Sequence, residues 1–349
     1  MKSFVMYCSC CFLLFFLISS ALINRNDRPQ KLSEYGFFSG ALKELEPVPK
    51  IIPYDLSTPL FSDYAEKLRF VKIPEGQKAT YNDSTVFDFP NGTVFIKTFY
   101  FPIDFRNISK GRRLIETRLL IKENGIWTAW PYIWKDDQSD AVLDLAGETK
   151  TVRYIDIAGK RKEHAYLIPN QNQCKGCHNK NEVLLPIGPS SRQLNHDKQY
   201  DGVRRNQLSY WASSEKLIGF AETNAKANGI VWNDDASGSL NDRARLWLDI
   251  NCGFCHQPQG PAGTSGLFLH YQEEDPLRLG VEKTPVAAGR GSGNRRFDIV
   301  PGRPDESIMM FRMESDDPGI MMPELGRSVK HTEGIALIRK WIAEMKKIE

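Results

Sequence analysis

The chain has 349 residues, of which 41% are hydrophobic and 26% are charged, so it is long enough for about two domains and too apolar to be disordered or collagen-like. Its formal net charge of +3 is nearly balanced, whereas nucleic-acid binding requires a strongly basic surface. We therefore expect a folded protein with no nucleic-acid partner.

The first residues have the pattern of an export signal. Lys2 precedes a mostly apolar run that extends to Ile23, and the polar residues from Asn24 onward end it. The small residues at 19–21 provide a cleavage site, which predicts a signal peptide at 1–21. An apolar run of this length would hold the protein in a membrane if it were not cleaved. We expect an exported protein, with membrane anchoring through this segment as the alternative.

The segment 22–170 has the pattern of a β-rich domain. Strands are predicted by runs of β-branched and aromatic residues at 68–73, 86–89, 93–101, 119–121, 126–127, 130–134 and 151–157. Asn-Gly pairs at 91–92 and 124–125 predict two hairpin turns. Several short strands with turn signals indicate a sandwich or barrel-like domain, and we expect Trp127, Trp130 and Trp134 in its core.

Helical patterns dominate the rest of the chain. One helix is predicted near 203–214, and a polar stretch at 233–238 resembles a linker. Ser239 and Asp242 then form a capping-box pattern that opens a second helix, and apolar residues at helical spacing predict a last helix from about Thr332. We expect an α+β protein, with a segment at 171–235 followed by an all-α C-terminal domain at 236–349.

Two Cys-x-x-Cys-His motifs carry the chemistry. The first has Cys174, Cys177 and His178, and the second has Cys252, Cys255 and His256. Seven cysteines occur, three of them in the leader, so these four are the only ones that remain for other bonds. Residues i, i+3 and i+4 share one face of a helical turn, which lets two sulfurs meet the two vinyl groups of a porphyrin while the histidine binds the iron. This pattern is typical of covalent c-type haem attachment, and it predicts two haems.

The cysteines have two other interpretations. A zinc ribbon also uses Cys-x-x-Cys pairs, but its pairs are separated by about 15–20 residues and need no histidine at a fixed offset. A thioredoxin-like dithiol occurs in a βαβ context that this sequence lacks. Covalent haem explains the cysteines and the histidines together.

Methionines near the end of the chain are candidates for the distal ligand of the second haem. Met321 and Met322 precede Pro323, and Met309, Met310 and Met313 lie shortly before them. Thioether ligation opposite histidine raises a haem's reduction potential. The alternatives are that these methionines fill a core or bind copper(I).

From about residue 240 to its end, the chain resembles a cytochrome c domain. The residues that carry the resemblance are the second motif with Ala244 and Leu248 before it, the Met-Pro pair, and Trp341 in the last helix. The resemblance implies that the first and last helices of this domain cross, with Ala244 allowing their close approach. It also implies that the methionine directly before the proline, Met322, is the distal ligand.

The whole chain is similar to a family of exported bacterial dihaem c-type cytochromes with a β-rich N-terminal region. The matching stretches are 58–64, 89–93, 116–118, 168–170 with the adjacent motif, and 299–302. The resemblance implies haem binding and electron transfer in the periplasm or another exported location. The implied partners are redox proteins, namely a donor dehydrogenase and an acceptor, and no substrate is implied.

The distal side of the first haem stays open, because no Met-Pro pair lies between the two motifs. The candidates are His164, His196, Met309, Met310, Met313 and an open coordination site. An open iron would make the protein a peroxidase-like haem enzyme, which is the alternative to pure electron transfer. A third reading is that the β-rich domain docks a partner. The loop arginines at 290, 295, 296, 303 and 312 are candidates for haem propionate binding or for a solvated surface.

Overall fold

The computed structural model describes residues 28–221 and 229–346. The predicted signal peptide at 1–21 lies outside the described residues. Within the two described ranges, no helix is both long and apolar enough to cross a membrane.

The N-terminal half is built around one six-stranded antiparallel sheet. In chain order the strands are β1 (Phe38–Ser39), β2 (Glu46–Pro47), β3 (Ile51–Tyr54), β4 (Glu66–Lys72), β5 (Ala79–Thr80), β6 (Val94–Pro102), β7 (Arg112–Glu123), β8 (Ile126–Trp134), β9 (Ala141–Leu143), β10 (Glu148–Ile155) and β11 (Arg161–Ile168). The sheet has the order β3-β4-β6-β7-β8-β9, while β10 and β11 form a separate hairpin. The sheet ends in two edge strands, β3 and β9, so it is open. Of the two predicted architectures, a sandwich or a barrel-like domain, the closed barrel is wrong.

One of the two predicted hairpin turns is confirmed and the other is wrong. Asn124 and Gly125 join β7 to β8 with φ angles of 51° and 78°, which a two-residue hairpin loop requires. Gly92 precedes β6, but the neighbours of β6 are β4 and β7. The residues predicted as a strand at 86–89 form only isolated bridges, with Thr80 and Ser190. An Asn-Gly pair therefore marks a turn here without joining two strands of one sheet.

The sheet is covered on both faces because its side chains alternate. Ile96, Leu119 and Trp130 point to one face, where they pack against the N-terminal segment that includes Leu32. Phe95, Leu120, Trp127 and Ala129 belong to the opposite face and pack against residues that follow β11. All three predicted core tryptophans, Trp127, Trp130 and Trp134, are buried, which confirms that prediction.

The segment after β11 folds onto that second face. It contains the elements α1 (Gln171–His178), β12 (Asn179–Lys180), β13 (Val183–Leu184), α2 (Ser191–Leu194), β14 (Asp197–Tyr200), β15 (Val203–Asn206), α3 (Gln207–Ser213) and β16 (Leu217–Ile218). Trp211 and Leu208 of α3 are fully buried against the sheet, and β16 pairs in parallel with β5. The helix predicted near 203–214 is therefore α3, and its first residues belong to β15 instead.

The C-terminal part is a set of helices joined by long loops. The helices are α4 (Leu240–Leu248), which continues as a π-helix at Asp249–Gly253, α5 (Ile308–Met313) and α6 (Thr332–Glu344). Short 3-10 helices lie at Leu32–Tyr35, Leu42–Glu44, Ile108–Lys110, Gly263–Ser265, Gly289–Ser292 and Pro304–Glu306. The mixed α/β class is confirmed. The structure does not show an all-α C-terminal domain, because closely spaced Gly and Pro residues such as Pro258, Gly260 and Pro261 keep the loop after the second motif irregular.

Helices α4 and α6 begin as predicted and pack against each other. Ser239 caps α4 by accepting a hydrogen bond from the Asp242 backbone amide at 3.1 Å. Ala244 is completely buried between the helices, and Trp341 Nε1 of α6 donates to Asn241 Oδ1 of α4 at 3.0 Å. The close approach of these two helices fixes the position of the second motif, which follows α4 directly.

A single added methyl group at Gly334 tests this packing. A Cβ atom at this position would lie 2.5 Å from Cζ2 of Trp247, which is buried. We expect Gly334→Ala to lower the free energy of unfolding by about 1–3 kcal/mol, because overpacking outweighs the gain in helix propensity of at most about 1 kcal/mol. Chemical denaturation measures the change.

The matched control for Gly334→Ala is Ala336→Leu, which adds three carbons at an exposed position of the same helix. We expect it to change the free energy of unfolding by less than about 0.5 kcal/mol. A stabilised Gly334→Ala variant would contradict the close contact between α4 and α6.

Candidate functional site

The first motif lies on α1, a helix whose start is defined by a reciprocal cap. Asn170 Oδ1 accepts from the backbone amide of Gln173 at 2.8 Å, and Gln173 Oε1 accepts from the backbone amide of Asn170 at 2.9 Å. Cys174 and Cys177 follow within the same short helix. The cap therefore sets the direction in which both thiols face.

The histidine of the first motif is oriented by a backbone carbonyl. The β12–β13 hairpin reverses the chain directly after His178 and brings Leu185 back to it. His178 Nδ1 lies 2.8 Å from the Leu185 carbonyl oxygen, to which only a protonated Nδ1 can donate. Burial lowers the pKa of His178 to about 4, so the ring is neutral at physiological pH. A neutral ring that donates through Nδ1 keeps the Nε2 lone pair for a metal.

The second motif has the same arrangement at the end of α4. His256 continues the helical turn, since its backbone amide donates to the Cys252 carbonyl at 2.9 Å. His256 Nδ1 lies 3.5 Å from Ser265 Oγ, and burial lowers the pKa of the ring. Both histidines therefore have the partner at Nδ1 that an Nε2 metal ligand requires.

All four thiols of the motifs are free and largely withdrawn from water. Burial raises the pKa of Cys252 and of Cys255 to about 12, and it raises the pKa of Cys174 and of Cys177 as well. These thiols are therefore protonated at neutral pH. No disulfide joins them in the structure.

The two motifs contact each other although they are far apart in the sequence. Cys255 Sγ lies 3.7 Å from the carbonyl oxygen of Gly176, inside the first motif. The backbone amide of Asn181, just after the first motif, donates to the Gln259 carbonyl at 3.0 Å. Residues of both motif turns thus meet in one interface, which the sequence alone did not indicate.

A large cavity lies next to the first motif, between the sheet and the C-terminal helices. Its empty volume, open mouth included, is ≈ 1780 Å³. Cys174, Cys177 and His178 line one side. The other walls are formed by the second face of the sheet and by C-terminal residues, which include Trp247, Phe254, Met313, Met322, Arg327 and His331.

A second cavity of ≈ 1610 Å³, open mouth included, lies next to the second motif. Its lining includes Cys252, Cys255, His256, Met309, Met313 and Met322. Trp247, Phe254 and Met322 line both cavities, so the two spaces share a wall only one side chain thick. Each of these open spaces is bordered by the two thiols and the histidine of one motif.

All seven predicted site residues lie at these cavities. Met322, predicted as distal ligand of the second haem, lines both of them, together with Met313, while Met309 lines only the second. Among the earlier candidates for the first haem, His164, His196 and Met310 line neither cavity in the described chain. Of the loop arginines, Arg312 lines the second cavity.

Sequence reasoning missed several residues of the first cavity. His331, which directly precedes α6, lines it and stacks on Phe61 with ring centroids 4.2 Å apart. Arg69, Lys97 and Arg118 also line it from three strands of the sheet. A signal existed for them, since Lys97 is two residues from Phe95 and Arg118 is two residues from Leu120, and residues two apart face the same side of a strand.

The residues present fit a covalently attached haem. Each cavity has two thiols at one edge, a neutral histidine with an oriented ring, and apolar aromatic walls. Within the described residues, no group of three or more His, Cys, Asp or Glu side chains is arranged to hold a metal ion. A haem iron needs no such group, because the porphyrin supplies four of its ligands.

Comparison with protein-family models, with curated proteins and with solved structures finds no match to this chain. The resemblance to dihaem cytochromes therefore stays a prediction from the motifs and the stretches around them.

The wall of the first cavity contains a buried ion pair whose loss is measurable. Glu116 is fully buried and accepts from Arg118 Nε at 2.7 Å and from the Tyr166 hydroxyl at 2.8 Å. We expect Glu116→Gln to lower the free energy of unfolding by about 3–5 kcal/mol, because it leaves the Arg118 charge without its partner. Denaturant unfolding gives the value.

The control for Glu116→Gln is Glu123→Gln on the same strand, which removes a half-exposed partner of Arg28. We expect it to cost no more than about 1 kcal/mol. Equal losses in the two variants would show that Glu116 does not compensate a buried charge.

Proposed function

We propose that this protein is an exported dihaem c-type cytochrome that transfers electrons between a donor dehydrogenase and an acceptor protein. The observation that carries the proposal is the contact between the two Cys-x-x-Cys-His turns, where Cys255 Sγ lies 3.7 Å from the Gly176 carbonyl oxygen. Two unrelated thiol sites need not meet. Two redox centres that exchange electrons need to be close, and these motifs are in direct contact.

The chain's own residues would hold two haems and limit their movement. Cys174 and Cys177 would form thioether bonds to one haem, and Cys252 and Cys255 would form them to the other. His178 and His256 would be the proximal ligands, oriented by their Nδ1 partners. A bound haem supplies an iron that changes charge by one electron, and its potential is set by the axial ligands and by the surrounding charges.

The finer architecture is part of this proposal. We assign residues 236–349 a cytochrome c-like arrangement, supported by the packing of α4 on α6 around Ala244 and by Met322 in the wall beside the second motif. The aromatic side chains of Trp247 and Phe254 in the shared wall would keep water out of the space between the two centres. Periplasmic location, with a cleaved leader or a membrane anchor, belongs to the same proposal.

Haem stoichiometry tests the proposal. We expect protein produced in cells with the haem-attachment machinery to carry two haems that survive denaturing electrophoresis, because thioether bonds are covalent. Cys174→Ala/Cys177→Ala and Cys252→Ala/Cys255→Ala should each retain one haem. An iron-to-protein ratio and a haem stain measure this.

The control for these cysteine variants is His164→Gln, since His164 lines neither cavity. It should retain both haems. A colourless wild-type protein with four titratable thiols would refute the proposed function.

The distal ligand of the second haem is tested at Met322. We expect Met322→Leu to lower the reduction potential of that haem and to remove the thioether-to-iron absorption band, because leucine cannot bind iron. The potential and the near-infrared spectrum are the measurements. Met310→Leu is the matched control, since Met310 is buried but lines neither cavity. An unchanged spectrum in Met322→Leu would assign the ligand to another residue.

A haem enzyme with an open first iron is the second candidate function. The observation in its favour is that His164 and His196, the histidines nearest to the first motif in the sequence, do not line the first cavity in the described chain, although His331, Met313 and Met322 do. Binding of carbon monoxide to one of two reduced haems would support an open iron and peroxidase-like chemistry. No binding would support electron transfer alone.

A further inference from the structure

A row of three cations crosses the wall of the first cavity. The antiparallel register places Arg69 of β4 directly opposite Lys97 of β6, and Lys97 directly opposite Arg118 of β7. All three side chains line the cavity. We call these residues the cation row. Like charges directly opposite each other on a sheet repel, so this arrangement is unfavourable unless something compensates it.

The protein compensates only one end of the cation row. Arg118 binds both carboxylate oxygens of Glu116. Arg69 and Lys97 have no carboxylate within ion-pair distance among the described residues. Arg69 is only 6% exposed, and its Nη2 has no hydrogen-bond partner. Lys97 Nζ makes a cation–π contact with Phe99, at 4.7 Å from the ring centroid.

An uncompensated buried cation costs several kcal/mol. Burial lowers the pKa of Lys97 well below its ordinary value, and the neighbouring Arg69 and Arg118 charges lower it further. The Arg69 guanidinium keeps its proton, and therefore its charge, at every physiological pH. An anion from outside the chain would compensate the Arg69 charge and favour the charged form of Lys97.

The cations of the second cavity, unlike Arg69 and Lys97, have carboxylate partners. Lys283 lies 3.5 Å from Asp298, and Arg312 lies 3.8 Å from Glu324. A surplus of positive charge thus belongs to the first cavity alone. The two cavities have the same cysteine and histidine geometry but different charge.

We propose that Arg69 and Lys97 form a carboxylate-binding site in the first cavity that takes the propionate groups of the haem attached there. Haem carries two propionates, and a guanidinium fork binds a carboxylate with two hydrogen bonds. This inference rests on the proposed function. Beyond it, the site assigns a specific electrostatic role to the sheet. Its cations would neutralise the propionates, and their loss would leave negative charge near the iron, which disfavours the reduced, less positive iron and lowers its potential.

Spectroelectrochemical titration of the two-haem protein tests the site. We expect Arg69→Gln and Lys97→Met each to lower the first haem's reduction equilibrium constant about tenfold, which corresponds to about 59 mV for one electron. The second haem should change much less. The Cys252→Ala/Cys255→Ala variant, which keeps only the first haem, identifies the wave that belongs to it.

Two further variants separate charge from other effects. Lys72→Met removes the same charge from β4 on the opposite face of the sheet, where Lys72 lies over Phe37, and should leave the first potential unchanged. Lys97→Arg keeps the charge but cannot bind iron, so it should restore the wild-type potential and the wild-type spectrum. Redox-difference infrared spectra should show perturbed propionate carboxylate bands in Arg69→Gln and not in Lys72→Met.

The outcomes are distinct from those that concern the proposed function. If the wild-type protein carries no covalent haem, the proposed function fails, and the propionate assignment falls with it. If both haems are present but Arg69→Gln and Lys97→Met match the wild type in potential and infrared spectrum, only the carboxylate site is overturned. A spectrum that changes in both Lys97→Met and Lys97→Arg would overturn it as well, because Lys97 would then act as an axial ligand.

Discussion

The packing of the two Cys-x-x-Cys-His turns against each other is the constraint on which the rest of the structure depends. The contact between Cys255 and Gly176 forces the end of α4 to meet α1, although the two helices belong to different halves of the chain. Each half must then cover its own cavity from the outside. The sheet covers one cavity, and the glycine- and proline-rich loops after the second motif cover the other.

Polar cross-links hold the two halves in that arrangement. Asp63 is buried and accepts from the backbone amides of Ser328 and Val329 at 2.7 and 3.0 Å. Asn251, just before the second motif, accepts from the Phe61 amide at 2.8 Å. Each of these acceptors would be costly to leave unpaired away from water, so separation of the halves is opposed by hydrogen bonding as well as by apolar contacts. Rigid spacing of this kind suits electron transfer, which requires little structural change when the charge changes.

Besides forming a core, the sheet presents charged side chains to the first cavity. Its outer strands and its N-terminal face are ordinary apolar packing, whereas its centre presents Arg69, Lys97 and Arg118 to an enclosed space. A core of apolar residues at these positions would be more stable in the polypeptide alone. Charge retained at such a cost points to an anionic ligand, and the two propionates of the proposed haem would supply that charge next to the two thiols and the histidine.

The sequence by itself determined the features that depend on nearby residues. The motifs, the cap at Ser239, the start of α6 at Thr332, the hairpin at Asn124-Gly125 and the buried tryptophans follow from spacing, turn chemistry and periodicity within a few residues. The tertiary structure alone decided the features that join distant segments: the partners of β6, the meeting of the two motifs, the place of His331 and the cation row. The reason is physical. Strand register and helix crossing are set by the packing of whole faces. No local pattern around Lys97 predicts that Arg69 and Arg118 will lie opposite it.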